Sequence, residues 1–171
     1  LARGGAAKDA LSRALDLARR LRQHTASGEP HRDGARRADA AGLARLLRDL
    51  SERRLAEGTK SGAREAMSDA AAGFGEYFAL VGPASNDGDT GLRLSWAVAT
   101  LGSGDRAGGL RLLEKILSGP GPAGMAERAA HLHADASIAG YAAGDVSGPG
   151  AEDSLQRLVR RGPGESATAL G

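Results

Sequence analysis

Residues 90–117, TGLRLSWAVATLGSGDRAGGLRLLEKIL, decide the fold class. Leu92, Trp96 and Ala99 recur along one side of a helix, and Leu94, Val98 and Leu101 along an adjoining side. This three-and-four spacing is helical and does not alternate as a strand would. Gly102-Ser103-Gly104-Asp105 interrupts the pattern. It resumes over Arg106 to Leu117, with Leu110, Leu113, Ile116 and Leu117 inward. A glycine closes a helix in the left-handed conformation that a Cβ disfavours. The aspartate beside it suits the N-terminus of the next helix, where free N–H groups await an acceptor. The stretch predicts a helical hairpin.

The same layout returns over Met125 to Arg161, where Gly144-Asp145 stands 40 residues after Gly104-Asp105. That interval lies within the range of helical repeats. Each hairpin leaves an apolar face that only a stacked neighbour can bury. Met125, Ala129, Leu132, Ala136, Ala139 and Ala143 are expected on the buried side of the first helix of this hairpin. Val146 to Gly150 is expected to be a loop, with a helix over Ala151 to Arg161 carrying Leu155, Leu158 and Val159.

Upstream, Ala6 to His24 reads as a helix with the stripe Ala7, Leu11, Ala14, Leu15, Ala18 and Leu21. Thr25 to Gly34 is a loop dense in turn residues. Arg36 to Glu57 forms a second helix, with Leu43, Leu46, Leu47, Leu50 and Leu55 inward, ended by Gly58 to Gly62. Ala63 to Val81 forms a third, with Ala63, Met67, Ala70, Phe74, Tyr77, Phe78 and Val81 on its stripe. Gly73 and Gly75 flank Phe74 and predict close approach of another backbone. Pro83 to Asp89 is a turn-rich linker, and Asp89 or Thr90 is the expected N-cap of the next helix. Ser118 to Gly124 is a loop, and Gly162 to Gly171 is expected to be a disordered tail. No window has the β-branched, period-two pattern of a strand. The expected fold is all-α, an α-helical hairpin array of about seven helices.

Composition narrows the function classes. The 171 residues contain no cysteine, which removes disulfides, thiolate nucleophiles and cysteine zinc sites. No stretch has the 18 consecutive apolar residues of a membrane span. Five aromatic residues leave a core built from Leu and Ala. The 26 glycines are about twice the usual share. The bias toward Ala, Gly, Arg and Asp is that of GC-rich codons and points to a bacterial source. The lack of a first Met makes a fragment of a larger protein the expectation.

Charge is uneven. Residues 1–64 carry +7 and residues 65–171 carry −5. Arg19, Arg20, Arg22, Arg32, Arg36 and Arg37, then Arg45, Arg48, Arg53 and Arg54, could neutralise phosphates. Asp16, Asp33, Asp39, Asp49 and Glu52 are interleaved with them, and no stacking aromatic is near, as on an ordinary solvated face. Phe74, Tyr77 and Trp96 are candidates to line a groove for a peptide or small molecule, or to form core.

Catalytic and metal chemistry find little support. His131 and His133 point about 200° apart on a helix, unlike zinc pairs at i and i+4. Asp135 stands at i+4 from His131, but a solvated face accounts for all three. A calcium loop from Asp87 would need an acid or amide at position 91 and Glu at position 98, which are Gly91 and Val98. Gly58-Thr59-Lys60-Ser61 lacks the upstream glycine and strand of a phosphate loop, and Gly102, Gly104 and Gly108 follow a helix. No carboxylate dyad and no Gly-x-Ser-x-Gly is present. The expectation is a non-enzymatic chain with no cofactor and no metal.

The hairpin over residues 90–120 resembles the tetratricopeptide type. Trp96 and Ala97 stand in its first helix, Gly104-Asp105 in the turn, Gly109 at a small position, Leu113 and Ile116 at packing positions, and Pro120 after it. Residues 88–145 are similar to the helical region of large ATP-dependent bacterial transcriptional regulators of the LuxR and AfsR kinds. Gly88-Asp89, Gly91-Leu92-Arg93-Leu94, Leu112-Leu113-Glu114, Gly119 to Pro122, Glu127-Arg128-Ala129 and Gly144-Asp145 carry the resemblance. It covers about a third of the chain, and Ala136 and Ser137 stand where an aromatic is usual.

The resemblance implies a tetratricopeptide-like α-solenoid over 82–161, preceded by a basic helical segment over 1–81 and followed by the tail at 162–171. It implies a cytoplasmic protein-interaction or effector-sensing module of a larger regulator, whose partner is a protein or a neighbouring domain of the same polypeptide, with no membrane role. The alternative is a nucleic-acid-associated module using the Arg-rich N-terminal half.

Overall fold

The computed structural model describes residues 3–25, 33–82, 89–119 and 122–160. Among them are seven α-helices and no strand: α1 Arg3–Thr25, α2 Asp33–Ser61, α3 Arg64–Val81, α4 Thr90–Gly102, α5 Arg106–Ser118, α6 Ala123–Ala142 and α7 Gly148–Arg160. The all-α expectation holds. The linker over 83–88, nearly all of the loop after α1 and the tail at 162–171 lie outside the described residues, whereas the calcium-like run from Asp87 is described from Asp89 onward and continues as α4.

Each helix packs on the next in sequence, α1 on α2 included. Beyond these neighbours, α1 touches α3, α2 touches α4 and α4 touches α6. Three pairs, α2–α3, α4–α5 and α6–α7, are joined by short turns. Each turn contains a glycine in the left-handed region: Gly62 at φ 70°, Gly104 at 91° and Gly144 at 81°. The first member of the series, Gly62, carries no following Asp, and the Gly-Asp pattern passes over it.

Two buried clusters share α4. Leu11, Leu47, Phe74 and Tyr77 gather with Leu92 and Ala99, and Trp96 packs against them. Leu94 and Ala97 gather with Leu113, Ile116 and Ala129, flanked by Leu101, Leu117, Met125 and Leu132. The two adjoining sides read on α4 are therefore each buried in a different cluster. Complete burial of Phe74 contributes roughly 2–3 kcal/mol against exposure.

Glycines allow several of these crossings. A Cβ at Gly73 would stand 2.0 Å from Ser51 Oγ, and one at Gly109 would stand 2.4 Å from Leu101 Cδ2. The close approach expected at Gly73 is thus made by the α2 side chain of Ser51, whose hydroxyl donates to Leu47 O at 2.6 Å. Gly75 adjoins the Trp96 ring.

Several boundaries and faces differ from the sequence reading. α2 continues through Gly58 to Ser61, because Gly58 is buried against Met67 of α3 and the left-handed break falls at Gly62. The phosphate-loop resemblance at Gly58 to Ser61 is therefore a helical turn, with Ser61 Oγ donating to Glu57 O. Leu46 was expected inward and is 47% exposed; Leu43, Leu47 and Leu50 fill that face.

On α6 the buried side is Ala129, Ala130, His133, Ala134, Ser137 and Gly140, while Ala139 and Ala143 are exposed. Small residues there allow α7 to lie close, and Ser154 Oγ donates to Ser137 Oγ at 3.0 Å in the buried interface. α7 begins at Gly148 because Ser147 caps it, accepting from Gly150 N, and Pro149 is tolerated in a first turn whose N–H groups lack helical acceptors.

Asp105 caps α5 as expected, accepting from Gly108 N at 2.8 Å. Asp145 does not cap α7; it pairs with Arg106. Asp89 occupies the N-cap position of α4 without a capping bond and accepts from Tyr77 Oη at 3.4 Å.

Candidate functional site

The separation of α3 from α5 creates the site. Both pack on α4 but not on each other, so an open groove of about 540 Å³ runs between them over α4. Its α3 wall is small and smooth: Ser68, Ala71 and Ala72. Its floor is Trp96 and Thr100 of α4, where Thr100 Oγ1 bonds back to Trp96 O at 2.8 Å. Its α5 wall carries Arg111, Leu112 and Lys115.

Trp96 is half-buried and held in place. Its ring stacks on Phe78 with centroids 5.2 Å apart and planes inclined by 20°. Phe78 meets Tyr77 edge-on at 5.0 Å, and the Arg93 guanidinium covers Phe78 at 4.7 Å from its centroid. This cluster fixes an aromatic surface beside the cationic side chains of Arg111 and Lys115, with the Asp105 carboxylate also lining the groove.

A related cleft of about 290 Å³ lies one hairpin further on, between α5 and α7 over α6. Glu114, Leu117, Arg157 and Arg160 line it. Near it His133, 8% exposed, stands 3.6 Å from Glu114 Oε1, and its Nε2 makes no hydrogen bond. Burial pushes the His133 pKa below its usual value, against the opposing pull of the Glu114 carboxylate. His133 was expected on a solvated face with His131 and Asp135; those two are exposed, and His133 is buried.

The other residues singled out in sequence are dispersed. Phe74 is fully buried and Tyr77 nearly so; neither lines the groove. Burial raises the Tyr77 phenol, and the nearby Asp89 carboxylate adds to that. Arg19 approaches Asp16 and Glu76, and Arg22 holds Glu76 at 2.8 Å. Arg20 is exposed on α1. The side chains of Arg36 and Arg37 lie outside the described residues.

Arg48 pairs with Glu52. Arg54, expected on the basic face, is buried, with Asp69 and Glu57 each at 2.6 Å. Burial opposes its charge, yet the hydrogen bonds of Asp69 and Glu57 keep the guanidinium pKa above its usual value. Arg111 and Lys115 were not singled out in sequence, because charges on an amphipathic helix read as a solvated face. Among the described residues no group of three metal-ligating side chains is assembled, and no helix is long and apolar enough to cross a membrane.

Comparison with known proteins finds no matching family model, no matching curated protein and no matching solved structure.

Proposed function

We propose that the chain is a tetratricopeptide-like array of three helical hairpins that binds a partner protein through the groove between α3 and α5. The recurring left-handed glycines and the α2–α4 and α4–α6 contacts support stacked hairpins. The observation that carries the function is Trp96, fixed on Phe78 at the floor of an open groove beside Arg111 and Lys115. The partner segment is acidic with one apolar anchor. The reading is of a binding module and assigns no reaction. Its place in a larger bacterial regulator rests on the sequence resemblance alone. The nucleic-acid alternative draws less support, because Arg19, Arg22, Arg48 and Arg54 already face carboxylates.

Trp96 is the single tryptophan, so its emission reports the groove directly. The test titrates a Glu/Asp-rich dodecapeptide bearing one Leu or Phe, against a Lys/Arg-rich counterpart. Saturable change is expected with the acidic peptide only. Arg111→Glu with Lys115→Glu should weaken it at least tenfold, and charge reversal at Arg36 and Arg37 should leave it unchanged. No saturation with the acidic peptide rejects the reading. Tight oligonucleotide binding with a steep loss between about 50 and 200 mM salt would promote the alternative.

A further inference from the structure

α5 and α7 both pack on α6 and not on each other, which leaves the cleft of about 290 Å³ open between them. Ala130 of α6 forms its floor. One turn further along the same buried face of α6 stands His133. Its ring is more than nine-tenths buried, and its Nε2 has no hydrogen-bond partner. A buried polar atom left unpaired is costly, and a stable fold keeps few of them. Glu114 Oε1, on the α5 wall, stands 3.6 Å from that nitrogen, just beyond hydrogen-bond reach. Arg157 and Asp153 act on the same ring from α7.

The cleft is separate from the Trp96 groove. Arg111, Leu112 and Lys115 line the one, and Glu114, Leu117 and Ser118 the other, so α5 divides them. Its chemistry is a cationic end beside an apolar wall. Arg160, exposed at the end of α7, has no carboxylate partner among the described residues. Arg157 pairs with Asp153 at 2.5 Å. That pair is exposed, and a guanidinium has five N–H donors, so a second acceptor can join it. Leu117 and Ala130 supply the apolar surface.

We infer that this cleft is a second binding site, taking a small aliphatic carboxylate whose head meets Arg157 and Arg160 and whose chain lies on Leu117 and Ala130. Guanidinium groups match the two-oxygen head, and the apolar wall favours an organic acid over an inorganic anion. His133 and Glu114 give the site its regulation. A carboxylate entering beside Glu114 places like charges in one cleft. Glu114 gains by closing onto Nε2, and a proton on His133 completes that pair. Burial holds the pKa of His133 in the empty cleft below its usual value, and added negative charge nearby raises it. Binding therefore takes up a proton, and affinity rises as the pH falls.

Titration of the chain with sodium hexanoate, followed by NMR, tests this, with hexylamine, hexanol and inorganic phosphate as controls. Hexanoate should saturate with a Kd of about 1 mM or below at pH 5.5, at least about threefold tighter than at pH 7.5. The His133 Hε1 resonance should titrate at a higher pH when hexanoate is bound. Arg160→Gln should weaken binding at least about fivefold. Glu114→Gln should tighten it at pH 7.5 and flatten its pH dependence, a gain that a variant with a damaged fold would not give. No saturation by hexanoate up to about 20 mM overturns the inference. So does hexylamine or phosphate binding as tightly as hexanoate, or a His133 titration that hexanoate leaves unmoved.

Discussion

Arg64 Nε donates to the main-chain oxygen of Ser103 at 2.5 Å, so the first residue of α3 holds the turn that follows α4. Arg106, the first residue of α5, reaches the next turn as well, there pairing with the side-chain carboxylate of Asp145. Both contacts span 39 residues. Each arginine is the second residue after a left-handed glycine, so one hairpin turn is fastened to the next.

That fastening makes Gly104 more sensitive than Gly62. Both have positive φ, but a Cβ at Gly104 would stand 1.9 Å from Arg64 Nη2, while at Gly62 it meets nothing within 4 Å. Gly62→Ala should cost about 1 kcal/mol from backbone conformation alone. Gly104→Ala should cost more, because Arg64 must also move away. Urea unfolding of the two variants checks this; equal losses would mean the arginine contact contributes nothing.

Helical glycines should respond with opposite signs. Gly42 has open space around its missing Cβ, so Gly42→Ala should stabilise by about 0.5–1 kcal/mol. Gly109→Ala forces the α4–α5 crossing apart at Leu101 and should destabilise by about 1–3 kcal/mol. Thermal unfolding should move the midpoints in opposite directions.

The Arg54 pair joins α2 to α3 beneath the surface. Asp69→Asn leaves the buried guanidinium short of one of its two carboxylate partners and should cost about 2–4 kcal/mol. Replacing the exposed pair Arg48 and Glu52 should change stability by less than about 0.5 kcal/mol. Denaturant midpoints for both sets decide whether burial sets the difference.

His133 gives a pH dependence of defined sign. Its folded pKa lies below the unfolded value, so the unfolded chain takes up the proton first. Stability should be constant above about pH 6.5 as far as this residue is concerned, fall as the pH drops below that value, and level off below the folded pKa. Glu114, Asp153 and Arg157 are the charged groups that act on it. His133→Gln should reduce the difference in unfolding midpoint between pH 7.5 and 5.5. An undiminished difference would place the acid sensitivity elsewhere.

Most of the helical pattern is legible in the sequence where large residues mark it. The stripe of α1 and both sides of α4 are read correctly because Leu, Trp and Ala alternate there with polar residues. The buried side of α6 is misread because its contacts are Ala, Ser and Gly, which carry little hydropathic signal. The burial of Arg54 is hidden because Asp69 stands fifteen residues away on the other helix of the hairpin. Trp96 is legible as a candidate for the groove, but Arg111 and Lys115 become part of it only through the separation of α3 from α5. Gly62 is read within the Gly58 to Gly62 break, but its kinship with Gly104 and Gly144 is hidden because no Asp follows it.

Met67 lies between two glycines that belong to successive hairpins. A Cβ at Gly58 would stand 3.0 Å from its sulfur, and one at Gly102 would also stand 3.0 Å away. The Met67 thioether thus fills the space between α2 and α4, and both glycines leave it that room. An oxygen added to that sulfur would enlarge and polarise the spacer at once.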